Sequence, residues 1–222
     1  MTTRTSTWRV PIALVALGTI PVIAGSLRLV DLSTGSTALP PNPRFSDSPL
    51  PVVIHIVCAT VFAMLGAFQF SAGLRRRYRA WHRRAGRIVV VAGLGVALSA
   101  LWMNQFFPRA GAARELLYPL RVVFGVAMVV TIALGFLAAR RRDFDDHRDW
   151  MIRSYAIGIV AGTQVFTLGF GGAIFGHGEV TIALMFAAAW AINLTVAEWA
   201  IRRRLRRPTP PASLQMATPS PN

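Results

Sequence analysis

Apolar and polar positions along this chain separate into long blocks instead of interleaving. Six apolar runs cover residues 8–30, 50–74, 86–107, 118–139, 151–175 and 179–201. Each is long enough to cross a bilayer as a helix, which takes about 20 residues. Most are apolar all round, without the polar stripe at helical spacing that marks a surface helix. The pattern predicts an all-α, polytopic integral membrane bundle of six transmembrane helices, occupying 1–207. A basic start and the stretch VIAGS give the first run some likeness to a cleaved signal peptide. Its apolar core is longer than a signal core usually is, so an uncleaved helix is expected. Residues 31–49, rich in Pro, Ser and Thr, read as an irregular outer loop. The proline-rich tail 208–222 has the makeup of a disordered cytoplasmic end.

Composition strengthens the membrane reading. Hydrophobic residues make up 54% and charged residues only 15% of the 222, against roughly 25% charged in ordinary soluble domains. The net charge of +15 contains no lysine, since all 24 basic residues are arginine. Such basicity suits a nucleic-acid binder, but its placement does not. Nineteen of the 24 arginines fall on one alternating set of helix ends. This is the positive-inside bias, and it predicts both termini in the cytoplasm. Trp8, Trp81, Trp150 and Trp199 lie near those same ends, at the headgroup level where indoles settle. The expected partner is therefore a bilayer with anionic lipids at the arginine-rich face, not nucleic acid. Cys58 stands alone, so no internal disulfide can form.

Ionisable and amide groups in or near the spans are where chemistry is sought, because the bilayer makes them costly. His55 lies early in the second run, and His82 and His147 sit in the two arginine-rich connectors. His177 and Glu179 occupy a short outer turn, with Arg28, Asn104, Gln105 and Arg121 also near outer helix ends. Helix interiors hold Gln69, Thr163, Gln164 and Asn193, and the last two run at similar depth where they would meet. In the stretch RRRDFDDHRDWMIRSYA, Asp145 or Asp146 would cap the fifth helix. Asp149 is spaced to pair with Arg153, and Glu198 with Arg202. The simplest account of this stretch is a clasp of its four aspartates on the arginines of the connector after the second helix. Two histidines and nearby aspartates meet the ligand list for a metal, yet the arginines around them would repel a bare cation. The Gly158–Gly162 spacing would let another helix approach closely. No Gly-rich phosphate loop, nucleophile elbow or HExxH is present, which argues against an NTPase or ordinary hydrolase.

Two stretches, LGAFQFSAGLRRRYRAWHRRAGRI (Leu65–Ile88) and DDHRDWMIRSYA (Asp145–Ala156), resemble the domain-of-unknown-function 2306 (DUF2306) family of bacterial membrane proteins. The resemblance falls on His55, Gln69, Arg75, His82, Gly86, Arg87, His147, Trp150, Met151, Arg153 and Ser154. It departs from the family pattern at Ala67, where proline is expected, and within Gly162–Phe166, where the family often carries an arginine. The likeness implies an integral membrane fold in the bacterial cytoplasmic membrane and supplies no reaction.

The leading expectation is a ligand-binding membrane protein with a redox role. In it His55, His82 and His147 bind or proton-couple to haem or quinone, with Gln69 and Gln164 nearby. Arg87 and Arg153 hold an anionic group. Its rivals are an accessory or scaffold protein working through a membrane-protein partner or a second copy, and a small-solute transporter using Gln164 and Asn193.

Overall fold

The computed structural model describes residues 8–35, 45, 47–108 and 112–205. The tail from Pro208, and most of the 31–49 loop, lie outside them. The described residues form helices α1 (Arg9–Thr34), α2 (Pro49–Gln69), α3 (Ala72–Arg77), α4 (Arg79–Phe106), α5 (Ala112–Arg140), α6 (Phe144–Gly158), α7 (Val160–Phe175) and α8 (Glu179–Leu205). Helices α1, α2, α4, α5 and α8 are each long and apolar enough to cross a membrane. The α6–α7 pair, bent by 44° at its junction, makes a sixth span when taken as one.

Chemistry sets the ends of these elements. Pro49 at the first position of α2 lacks the N–H that would be unsatisfied there anyway. Buried Ser71 separates α2 from α3 and caps the latter, its hydroxyl accepting from the Leu74 N–H at 3.3 Å. Arg142 adopts a left-handed conformation (φ 64°) that turns the chain from α5 into α6. Asp143 then caps α6 by accepting from the Asp146 N–H at 3.1 Å. The cap is thus two residues before Asp145 and three before Asp146, because the helix already begins at Phe144, directly after the turn at Arg142.

α2 packs between α1 and α4, α5 beside α4 and α6, and α8 against α5, α6 and α7; α7 returns to α1. Phe62, Met128, Ile132, Ala97 and Tyr155 fill the centre. Ala67 is fully buried. Val91, Leu98, Phe170 and Ile174 face outward, as a lipid-facing surface requires.

The fifth apolar run, 151–175, is bent and not one straight helix. The Gly162 N–H closes on the Ile159 carbonyl at 3.0 Å, an i→i−3 step that tightens the turn. A Cβ on Gly158 would fall 2.5 Å from the Phe62 ring and 2.8 Å from the Met128 methyl, and one on Gly162 would strike the backbone carbonyl of Leu17 in α1. The glycine pair therefore serves close approach, but to three different helices and across a bend.

Candidate functional site

At the arginine-rich end, α2 stops at Gln69 and α4 begins at Arg79, with α3 as the strap between them. Both meeting helices carry a polar group at this junction. The Gln69 amide lies over Gly86 of α4, its Oε1 3.6 Å from where a Cβ would stand. His82 is one turn before Gly86 and is partly buried. The Gln69 Nε2 and His82 Nδ1 atoms are both buried and have no hydrogen-bond partner. Gln69 Nε2 can only donate, and an imidazole nitrogen donates in one tautomer.

Two further groups border them. His82 lies within electrostatic reach of Arg75 and of His147. A carbonyl only accepts, so the 2.8 Å contact between His147 Nδ1 and Gly135 O fixes the proton on Nδ1 and leaves Nε2 as the ring's other polar atom. Arg75, on the α3 strap, is partly buried among Arg148, Arg76 and Arg204. Burial first, and then this like-charged company, push its guanidinium below its ordinary value. A cation held among cations is a place where negative charge would be welcome.

The other expected residues go elsewhere. Arg153 grips Glu198 of α8 with two bonds, Nε to Oε1 at 2.5 Å and Nη2 to Oε2 at 3.1 Å. The Trp150 ring flanks the same guanidinium at 4.9 Å. Glu198 thus bonds to Arg153 and not to Arg202, while Asp149 bonds to Arg204 at 3.2 Å. Asp145 also pairs with Arg204. Two of the four aspartates, Asp145 and Asp149, thus clasp Arg204 at the end of α8 and not the Arg75–Arg87 connector, because α6 packs on α8, while Asp143 caps α6. Arg87 is exposed.

His55 is fourteen residues from Gln69 on α2, about 21 Å along the axis. Its Nδ1 contacts Ser99 Oγ at 3.0 Å, and the Ser99 hydroxyl donates to the Gly95 carbonyl at 2.5 Å. The His55–Ser99 contact ties α2 to α4. Gln164 does not meet Asn193. Asn193 Nδ2 instead donates to the Ala156 carbonyl at 2.9 Å, and its Oδ1 accepts from Thr163 Oγ1 at 2.7 Å. His177 is exposed, its ring packed over Gly172 in the α7–α8 cleft. The structure therefore gathers Gln69, His82, His147 and Arg75, and leaves His55, Gln164, Arg87 and Arg153 outside the group.

Sequence reasoning missed Tyr155. Its buried hydroxyl donates to the Ala63 carbonyl at 2.8 Å, with the ring between Phe62 and Phe70. Its place in WMIRSYA was the available signal. Among the described residues no group of three or more His, Cys, Asp or Glu is placed to hold a metal ion.

These features define a class: an all-helical, multi-pass membrane protein with a charged, arginine-rich end and a small buried polar junction just inside it. The chain belongs to the DUF2306 family, whose model, described as a predicted membrane protein, matches residues 52–201. The match runs from the start of α2 into α8 and leaves out α1. No curated protein matches the chain, and no solved structure does.

Proposed function

We propose that this membrane protein binds a quinone headgroup at the α2–α4 junction and serves a redox role. The observation that carries the reading is the pair of buried, partnerless nitrogens, Gln69 Nε2 and His82 Nδ1. Ring carbonyl oxygens are the acceptors such donors lack. A bound quinone would supply two-electron, two-proton chemistry. In this reading Gln69 and His82 hold the carbonyls, and the arginine cluster at Arg75 stabilises negative charge as it develops. His147, its Nδ1 fixed by Gly135, uses Nε2 to carry protons between His82 and the surface.

Haem suits His82 less well than His147, whose Nδ1 donates to the Gly135 carbonyl and leaves Nε2 to ligate. A ligating imidazole normally donates its other N–H to an acceptor that orients it, and His82 Nδ1 has none. The arginine bias supports a bacterial cytoplasmic membrane with both termini inside.

The test is to titrate detergent-purified protein with a short-chain quinone analogue and follow thermal stability. Stabilisation that disappears in Gln69→Leu and His82→Leu, at unchanged helix content, is the expected result. No stabilisation, or equal stabilisation of both variants, sinks the proposal, and a Soret band after haem-supplemented expression would replace it with haem.

A scaffold role is the second reading, favoured by the interhelical bonds of His55, Tyr155, Asn193 and Arg153. It expects a reproducible crosslinked partner and silent histidine substitutions.

A further inference from the structure

A second feature at the same end is independent of the buried junction. Trp8 at the N-cap of α1, Phe68 of α2, Leu74 of α3, Tyr78 of the α3–α4 link and Trp81 of α4 line an open groove of ≈ 440 Å³. Its walls are nearly all hydrocarbon and aromatic ring. Trp8 and Phe68 meet edge to face at 6.5 Å. Tyr78 is fixed by its N–H to the Leu74 carbonyl at 2.8 Å.

The rim has the opposite character. Arg77 stacks on the Tyr78 ring at 5.5 Å and donates through Nε to its hydroxyl at 3.0 Å. That contact holds the guanidinium at the lip of the groove. From Phe70 to Ile88 the chain carries seven arginines and no acid. Asp145 and Asp149, at the same end, are engaged with Arg204. An apolar floor with a cationic lip, at the level where tryptophan and tyrosine sit in a bilayer, calls for an amphiphile with a hydrocarbon chain and a negative head. A soluble anion would leave the floor wet. A zwitterionic lipid offers a phosphate too, but brings a choline cation into a connector already crowded with arginines.

We infer that this groove is a site for one anionic phospholipid, an acyl chain lying along Trp8, Phe68 and Trp81 and the phosphate held by Arg77 with its neighbours in the connector. The inference needs the arginine-rich end to lie at a membrane surface, and it does not need the quinone.

Native mass spectrometry of the full chain in detergent tests it, with phosphatidylglycerol, phosphatidylcholine and glycerol phosphate as probes. The expected result is one phosphatidylglycerol retained per chain. Arg77→Gln should weaken it about fivefold, the size of one surface arginine's attraction. Trp81→Leu should weaken it comparably. Arg141→Gln removes the same charge from another exposed position at this end and should leave binding unchanged. Equal loss in Arg141→Gln would reduce the effect to diffuse attraction. Equal retention of phosphatidylcholine, or full competition by glycerol phosphate, would each overturn the inference as well.

Discussion

Asn193 joins the two halves of the bent α6–α7 pair, and removing it should have a cost that can be worked from the structure. Its Nδ2 reaches the Ala156 carbonyl before the bend, and its Oδ1 takes the Thr163 hydroxyl after it. One side chain on α8 therefore fixes both arms of a 44° turn. Interhelical hydrogen bonds in membranes average about 0.6 kcal/mol and reach about 1.7 kcal/mol at most. Two of them put the polar loss in Asn193→Ala at about 1.2 kcal/mol, with a ceiling of about 3.4 kcal/mol. The alanine also leaves a small void, so the single variant overstates the bonds. A double-mutant cycle with Thr163→Val, near in shape to threonine, removes that term. Measured by equilibrium unfolding in mixed micelles of rising SDS content, the cycle should return a coupling of about 0.6 kcal/mol. Additivity within about 0.3 kcal/mol would refute the reasoning, since unconnected residues behave that way.

Two further outcomes use the same assay. Gly162→Ala places a methyl against the Leu17 backbone carbonyl, and should destabilise by about 1–3 kcal/mol. Gly169→Ala opens onto empty space and should be neutral or stabilising; equal losses would show that α1 and α7 are not in close contact. Asp143→Ala removes the cap on α6 and should cost about 1 kcal/mol. Asp146→Ala keeps that cap and should cost less.

Most of the fold was legible in the sequence, because membrane spans are written as unbroken apolar length. Their ends were less so. α4 starts at Arg79, ahead of the expected 86, since a basic, aromatic turn stays helical while passing through the headgroup layer. The bend after Gly158 left no mark in an apolar run, as its cause is packing against Phe62, Met128 and Leu17. Ion pairing was misread for a similar reason. Spacing of i, i+4 pointed Asp149 to Arg153 and Glu198 to Arg202, but α6 lies on α8, so bonds run between helices. A forked Arg–carboxylate bond held by an aromatic face outcompetes a flexible neighbour one turn away.

The histidines show how a candidate site can be legible in its residue types yet not in its grouping. His55 and His147 each have a partner that fixes a ring nitrogen, Ser99 and the Gly135 carbonyl. Asn193, Thr163 and Tyr155 are likewise satisfied inside the bundle. A buried donor left unpaired costs about 1–3 kcal/mol. Among the described residues the buried side-chain nitrogens in that condition are Gln69 Nε2, His82 Nδ1 and Trp190 Nε1. The Trp190 ring is stacked on Phe124 at 4.4 Å, which holds the ring in place and leaves its N–H unpaired away from the junction. Gln69 and His82 are set apart by standing together. They border one junction, beside a half-buried arginine crowded by other arginines. On the reading proposed above, an acceptor from outside the chain would complete both groups, whereas His55 and His147 are completed from within it.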